Sequence, residues 1–232
     1  APLLAGLDDD ERRRLAALAT AFLHRKEIKC VAGDALPPRT LYALAAQAAL
    51  PVLNLGLDWY RDWHTVVVYP ADFVARHEYV DEDGVVHQSE RALSGEAWPD
   101  GPVILSRDGI EEGLGGEFAD NLVIHEMAHK LDMSNGVVNG VPALHVDMPH
   151  ADWTAALSGA YEDFSRRVAH RQETPFDDYA AEDPGEFFAV ASESFFVEPE
   201  VLAAWYPDVY AQFRAFYRQD PLARQGGHDA DG

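Results

Sequence analysis

The chain has 232 residues, 47% of them hydrophobic, enough to bury one sizeable core. Asp and Glu total 40 against 18 Lys and Arg, and a net charge of −22 argues against direct nucleic-acid binding, which needs a basic surface. No apolar run approaches the roughly 18 residues of a membrane span, and the single cysteine, Cys30, excludes an internal disulfide and fits a reducing cytosol.

Cys30 itself reads as a buried small hydrophobe rather than a nucleophile. Residues 8–26 read as an amphipathic helix, with acid at Asp8, Asp9 and Asp10 and with Leu15, Leu18, Phe22 and Leu23 at helical spacing. Residues 28–32 suit a short strand. Pro37-Pro38 opens a second helix over 39–49. The mixed stretch 51–63 carries no clear period. Thr65-Val-Val-Val-Tyr69 reads as a buried strand ended by Pro70. Strands over 73–80 and 85–93 flank Asp83-Gly84, a turn pair that predicts a hairpin. Residues 103–106 suit another strand, and a glycine-bearing segment, 109–116, follows.

Next comes Asn121-Leu-Val-Ile-His125-Glu126-Met-Ala-His129-Lys-Leu-Asp132. On a helix, residues four apart lie on one face, so His125 and His129 can reach one ion. Glu126 sits about 100° further round, at the edge of that face, where it could hold a water. This is the His-Glu-x-x-His pattern of zinc hydrolases, in which two imidazoles ligate and the Glu is the general base. The bare pattern arises by chance in roughly 3% of chains this long, so context decides. Leu122, Val123, Ile124, Met127, Ala128 and Leu131 make the helix apolar nearly all round, which implies burial. Buried histidines and a buried glutamate without partners would cost several kcal/mol.

Residues 134–149 read as a loop and 152–172 as a helix. Asp183 is the expected N-cap, and Pro184 the first residue, of a helix over 184–197. A helix in two pieces around Pro207 fills 198–218, and 225–232 reads as a disordered tail. Catalytic zinc sites usually have three protein ligands. Glu186 opens the 184–197 helix, and Glu193 lies two turns on along a face shared with Ala189 and Val190. Glu186 as the third ligand and Glu193 as the partner of a ligating histidine account for both carboxylates. Asp132, on the face of the two histidines, is the rival ligand. From the same helix it more plausibly orients a histidine or pairs with Lys130 or an arginine.

The sequence His125-Glu-Met-Ala-His129-Lys-Leu-Asp132, with Asp178-Tyr179-Ala-Ala-Glu-Asp-Pro184-Gly-Glu186-Phe-Phe-Ala-Val-Ala-Ser-Glu193, resembles the Mlc titration factor A family of bacterial zinc peptidases. Pro51-Val-Leu-Asn-Leu-Gly-Leu-Asp-Trp59, Val68-Tyr-Pro-Ala-Asp-Phe73 and Phe216-Tyr-Arg-Gln-Asp-Pro-Leu222 extend the likeness over almost the whole chain. Gly185 stands where the family often has Ala, and Phe187 where it can have Cys.

The resemblance implies an α+β, zincin-like fold as a single domain over 1–224, with a helical N-terminal part over about 1–60. It implies one Zn²⁺ held by His125, His129 and Glu186, with Glu126 as general base. It adds two residues that spacing does not supply. Tyr179 would hydrogen-bond the developing oxyanion, as in the similar catalytic domain of anthrax lethal factor. His87 would approach the metal in a closed resting form. The implied activity is peptide hydrolysis in the cytoplasm, with an extended substrate added to a sheet edge within 85–93. A binding function is the other expectation, because the family's name reflects titration of a transcriptional repressor, Mlc.

Overall fold

The computed structural model describes residues 2–31, 35–80, 86–93, 95–99, 101–115 and 121–226; for residues 2, 73–80, 86–93, 114, 115 and 226 it gives the backbone alone. Helix α1 (Asp9–Arg25) starts at a capping box, in which the Asp8 carboxylate accepts from Glu11 N–H at 2.8 Å and the Glu11 carboxylate from Asp8 N–H at 3.1 Å. Strand β1 (Glu27–Cys30) follows directly, then α2 (Pro38–Ala49), β2 (Thr65–Tyr69), β3 (Phe73–Val80), β4 (Val86–Leu93), β5 (Gly95–Ala97) and β6 (Val103–Ser106). The rest is helical: α3 (Arg107–Gly115), α4 (Leu122–Asp132), α5 (His150–Ala169), α6 (Pro184–Val197), α7 (Pro199–Trp205), α8 (Pro207–Tyr217) and α9 (Pro221–Gly226). No helix among the described residues is long and apolar enough to cross a membrane.

The fold is the expected mixture of helices with a small mixed sheet. Four strands run in the order β1-β2-β6-β5. The first three are parallel, with Val66 opposite Ile28 on one side and Val103 on the other, and β5 closes the sheet antiparallel to β6. Val66, Val68, Val103 and Leu105 are buried, as the central strands of a covered parallel sheet require. Helices α5, α6 and α8 pack on one another around an aromatic core. There Trp153 stacks on Phe213 with centroids 5.7 Å apart, and Phe195 on Tyr217 at 5.4 Å. Helix α4 packs between α6 on one side and β5, β6, α2 and α3 on the other.

Most expected elements are present within a residue or two. The 73–80 and 85–93 strands form an antiparallel hairpin, with Tyr79 opposite His87 and Val80 opposite Val86; its turn, 81–85, lies outside the described residues. The tail expected over 225–232 is described only to residue 226, where α9 ends. One expectation is corrected. Cys30 is half-buried at the flank of the core, not buried within it. The glycine-bearing segment 109–116 is helical as far as Gly115, and Gly109 and Gly113 sit where α3 is close-packed. A Cβ at Gly113 would collide with Gln47 Oε1 and meet Asn121 Nδ2 at 2.8 Å. The expected 86–93 strand pairs with 73–80 in its own two-stranded sheet, and the four-stranded sheet ends in β5, whose three residues are too short for periodicity to reveal.

Candidate metal centre

Helix α4 is set in place at its first residue. Asn121 is the N-cap, its side-chain oxygen accepting from Ile124 N–H at 3.0 Å. Its carbonyl accepts from His125 N–H at 3.0 Å. Every residue from Val123 to Asp132 is buried, so the apolar surround expected from the sequence is real. His125 and His129, one turn apart, stand with ring centroids 4.7 Å from each other. Both are buried.

Helix α6 meets them from the opposite side. Asp183 caps it, accepting from Gly185 N–H at 2.7 Å and Glu186 N–H at 3.0 Å, and Pro184 occupies the first turn. The cap turns Glu186 toward α4. Its Oε2 lies 3.2 Å from His125 Nε2 and 3.4 Å from His129 Nε2, and the two imidazole nitrogens are 3.1 Å apart. Two turns on, Glu193 Oε1 reaches His125 Nδ1 at 2.5 Å, while its Oε2 accepts from Asn121 N–H at 2.7 Å. With Nδ1 donating to Glu193, His125 keeps its Nε2 lone pair for the space shared with His129 and Glu186.

This triangle can be tested against an ion. A tetrahedral centre with bonds of about 2.0–2.1 Å separates its ligand atoms by roughly 3.3 Å. Two nitrogens and one oxygen at 3.1, 3.2 and 3.4 Å match that spacing. Glu186 Oε2 is buried and faced by the two imidazole nitrogens, a donor set that a cation would bind. Imidazole and carboxylate suit zinc and other first-row divalent ions. Among the described residues, His125, His129 and Glu186 are the one group of this kind.

The electrostatics follow from the packing. Burial pulls the His125 pKa down, but the Glu193 and Glu186 carboxylates outweigh it and hold the pKa well above the ordinary histidine value. Burial acts upward on Glu186, yet the two imidazoles beside it hold its carboxyl below the usual range. Glu126 goes the other way. It is 3% exposed, and burial pushes it up to about 7, only partly opposed by the two histidines. Its Oε2 has no hydrogen-bond partner among the described residues. Its Oε1 faces β5, where a Cβ at Gly95 would meet it at 2.6 Å.

Tyr179 is also brought to the site. It lies half-buried on a 3₁₀ turn, Asp178–Ala181, fixed by Asp177, whose carboxylate accepts from Tyr179 N–H at 2.8 Å. Its ring centroid is 6.1 Å from that of His125. Asp132 is close to the centre but occupied elsewhere: Oδ2 accepts from Asn139 N–H at 2.9 Å and Gly140 N–H at 2.8 Å, tying down the loop after α4. Lys130 donates to the carbonyls of Trp98 at 2.5 Å and Gly101 at 3.0 Å, and Asp132 Oδ1 has no hydrogen-bond partner among the described residues. The backbone of His87 is on β4; its side chain lies outside the described residues. At Gly185, an alanine Cβ would meet Val138 Cγ1 at 2.7 Å, so glycine is matched to the valine of the neighbouring loop. Sequence reasoning missed Asn121, although an asparagine before an apolar run is a helix-start signal. It also missed Gly95, for which a three-residue strand gives no signal.

The sequence model of the family described as glucose-regulated metallo-peptidase M90 matches residues 1–218. The chain is similar to Mlc titration factor A of Yersinia enterocolitica, 41% identical over 228 residues that cover 96% of this chain and 84% of that protein. It is similar also to the proteins of the same name from Cronobacter sakazakii, 39% identical over 226 residues (96% and 84%), and Yersinia pestis, 40% over 228 residues (96% and 83%).

Proposed function

The chain belongs to the glucose-regulated metallo-peptidase M90 family, and from that premise we propose that it is a zinc-dependent peptidase. The observation that carries the reading is the triangle of His125 Nε2, His129 Nε2 and Glu186 Oε2, with the unanswered carboxylate of Glu126 beside it. Those three residues would hold the ion. A zinc ion held there would lower the pKa of a water and polarise the scissile carbonyl.

The protein's own groups do the rest. Glu126 takes a proton from the attacking water at its buried carboxylate and returns it to the leaving amine. The Tyr179 phenol donates to the oxygen on which negative charge develops. Glu193 holds His125 in the tautomer that leaves Nε2 bare. Strand β5, at the end of the sheet and against Glu126, supports an extended substrate added antiparallel to it.

The test is Glu126→Gln in the zinc-loaded protein. We expect one ion per chain and peptide hydrolysis reduced at least about 100-fold; wild-type turnover in that variant sinks the assignment. Tyr179→Phe should lower kcat and leave KM and metal content near wild type. The relatives' name supports a second reading, titration of a partner of the Mlc type, a transcriptional repressor by the resemblance. Capture of that partner by the Glu126→Gln protein, undiminished, is the expected sign of a binding function separate from catalysis.

A further inference from the structure

Asn121 is fully buried, and every hydrogen-bonding group it owns is engaged. Its N–H and carbonyl go to Glu193 Oε2 and His125 N–H, and its side-chain oxygen takes Ile124 N–H. Its side-chain NH₂ donates to Gln47 Oε1 and to the Gly113 carbonyl, both at 2.9 Å. Gln47, on α2 and equally buried, then donates its own NH₂ to the carbonyls of Ile110 at 3.0 Å and Ala43 at 3.2 Å. Backbone groups fix the direction of the chain at both ends. Ile124 N–H can only donate, so the Asn121 oxygen faces it and the Asn121 nitrogen faces Gln47. The Ile110 carbonyl can only accept, so the Gln47 nitrogen faces it.

Capping alone does not need this arrangement. Aspartate and serine cap as well as asparagine does, and neither brings an NH₂ group for Gln47 and Gly113. A carboxylate at 121 would instead point lone pairs at two acceptors in a site closed to water. Nor does the packing tolerate slack, because a Cβ at Gly113 would collide with Gln47 Oε1.

We propose that Gln47 and Asn121 are positioning residues for the metal centre: they lock Glu193 and the first turn of α4 so that the His125 ring presents Nε2 to the ion at a fixed angle. The relay runs from α2 through the Asn121 cap to Glu193 on α6 and back to His125 on α4. Three helices thus converge on one imidazole. The proposal rests on His125 being a ligand, and it assigns the setting of metal affinity to residues that contact neither ion nor substrate.

The experiment compares zinc affinity, by competition with a chromophoric chelator, in wild type, Gln47→Met and Asn121→Asp. Circular dichroism and thermal melts of the zinc-free proteins run in parallel. Outer partners of metal ligands typically set affinity by about 10- to 100-fold. Wild type should bind one ion, Gln47→Met about 10-fold more weakly, and Asn121→Asp more weakly still despite an intact helix cap. Full affinity in both variants overturns the relay and leaves the metal reading standing. A wild type that binds no zinc overturns both, and the two failures are distinguishable. A second measurement needs no metal: the zinc-free wild type should show a far-downfield, slowly exchanging proton on His125 Nδ1 by ¹⁵N-edited NMR. The same resonance should broaden in any folded Gln47 variant. Its absence from wild type overturns the proposal.

Discussion

Glu193 Oε1 stands 2.5 Å from His125 Nδ1, so a helix 68 residues away along the chain decides which nitrogen of that imidazole is bare. Replacing the carboxylate by an amide keeps an acceptor for Nδ1–H but removes the negative charge that makes the ring a better donor to a cation. Glu193→Gln should therefore fold and weaken zinc binding by about 10- to 100-fold, measured by chelator competition. Unchanged affinity would show that the contact is only structural.

Glu186 and Asp132 competed as third ligand on sequence grounds, and their surroundings now separate them. Glu186→Gln should abolish stoichiometric zinc binding. Asp132→Asn should keep the ion and instead loosen the loop whose Asn139 and Gly140 N–H groups the carboxylate holds. Hydrogen bonds to charged groups contribute about 1.5–3 kcal/mol each, so a loss of about 2 kcal/mol in urea unfolding is expected. Metal lost with Asp132→Asn but kept with Glu186→Gln would reverse the assignment.

Gly95 leaves room for Glu126. A Cβ there would meet Glu126 Oε1 at 2.6 Å and Leu122 Cδ1 at 2.5 Å. Gly95→Ala should displace the carboxylate, lower kcat by about 10-fold or more, and destabilise the protein by about 1–3 kcal/mol through overpacking. Zinc content, read by elemental analysis, should not change, because the atoms nearest the new methyl belong to Leu122 and Glu126 and not to the three ligand residues. A variant with wild-type kcat would remove Gly95 from the site.

Lys26 predicts a pH effect away from the centre. Its ammonium donates to the carbonyls of Tyr60 and Trp63 and lies 3.8 Å from the Trp63 ring centroid. Burial, aided by Lys130, lowers its pKa from 10.5 to about 8. Between those values the unfolded chain binds more protons than the folded one, so this group's contribution makes stability rise with pH from about 8 toward 10.5. Lys26→Met should lack that rise. Urea unfolding of both proteins at pH 7.5 and 10 checks it: the wild type should gain stability relative to the variant, and a constant difference would refute the shift.

What the sequence disclosed depended on how local the signal was. The α6 start was readable because its cap, Asp183, and its apolar period are written within a few residues, and α4 was readable from its apolar period, although its cap, Asn121, was missed. Glu186 and Glu193 stood out because a carboxylate on an inward face requires a partner. The function of Tyr179 came from resemblance, since one aromatic residue on a short turn has no period. Gln47 was hidden for a different reason. In an Ala- and Leu-rich helix it reads as a stray polar residue, and only the approach of α3 and Asn121 shows that it is fully bonded.

The sheet lies wholly upstream of both helices that build the centre, and its parallel pairs cannot form as hairpins. During synthesis β1, β2 and β6 leave the ribosome, with α4 close behind, while Glu186 has yet to be translated. A chain stalled or cleaved before α6 can hold the histidines but can never close the triangle. Synthesis through α6 is thus a physical checkpoint on the triangle, imposed by the order in which the elements are strung.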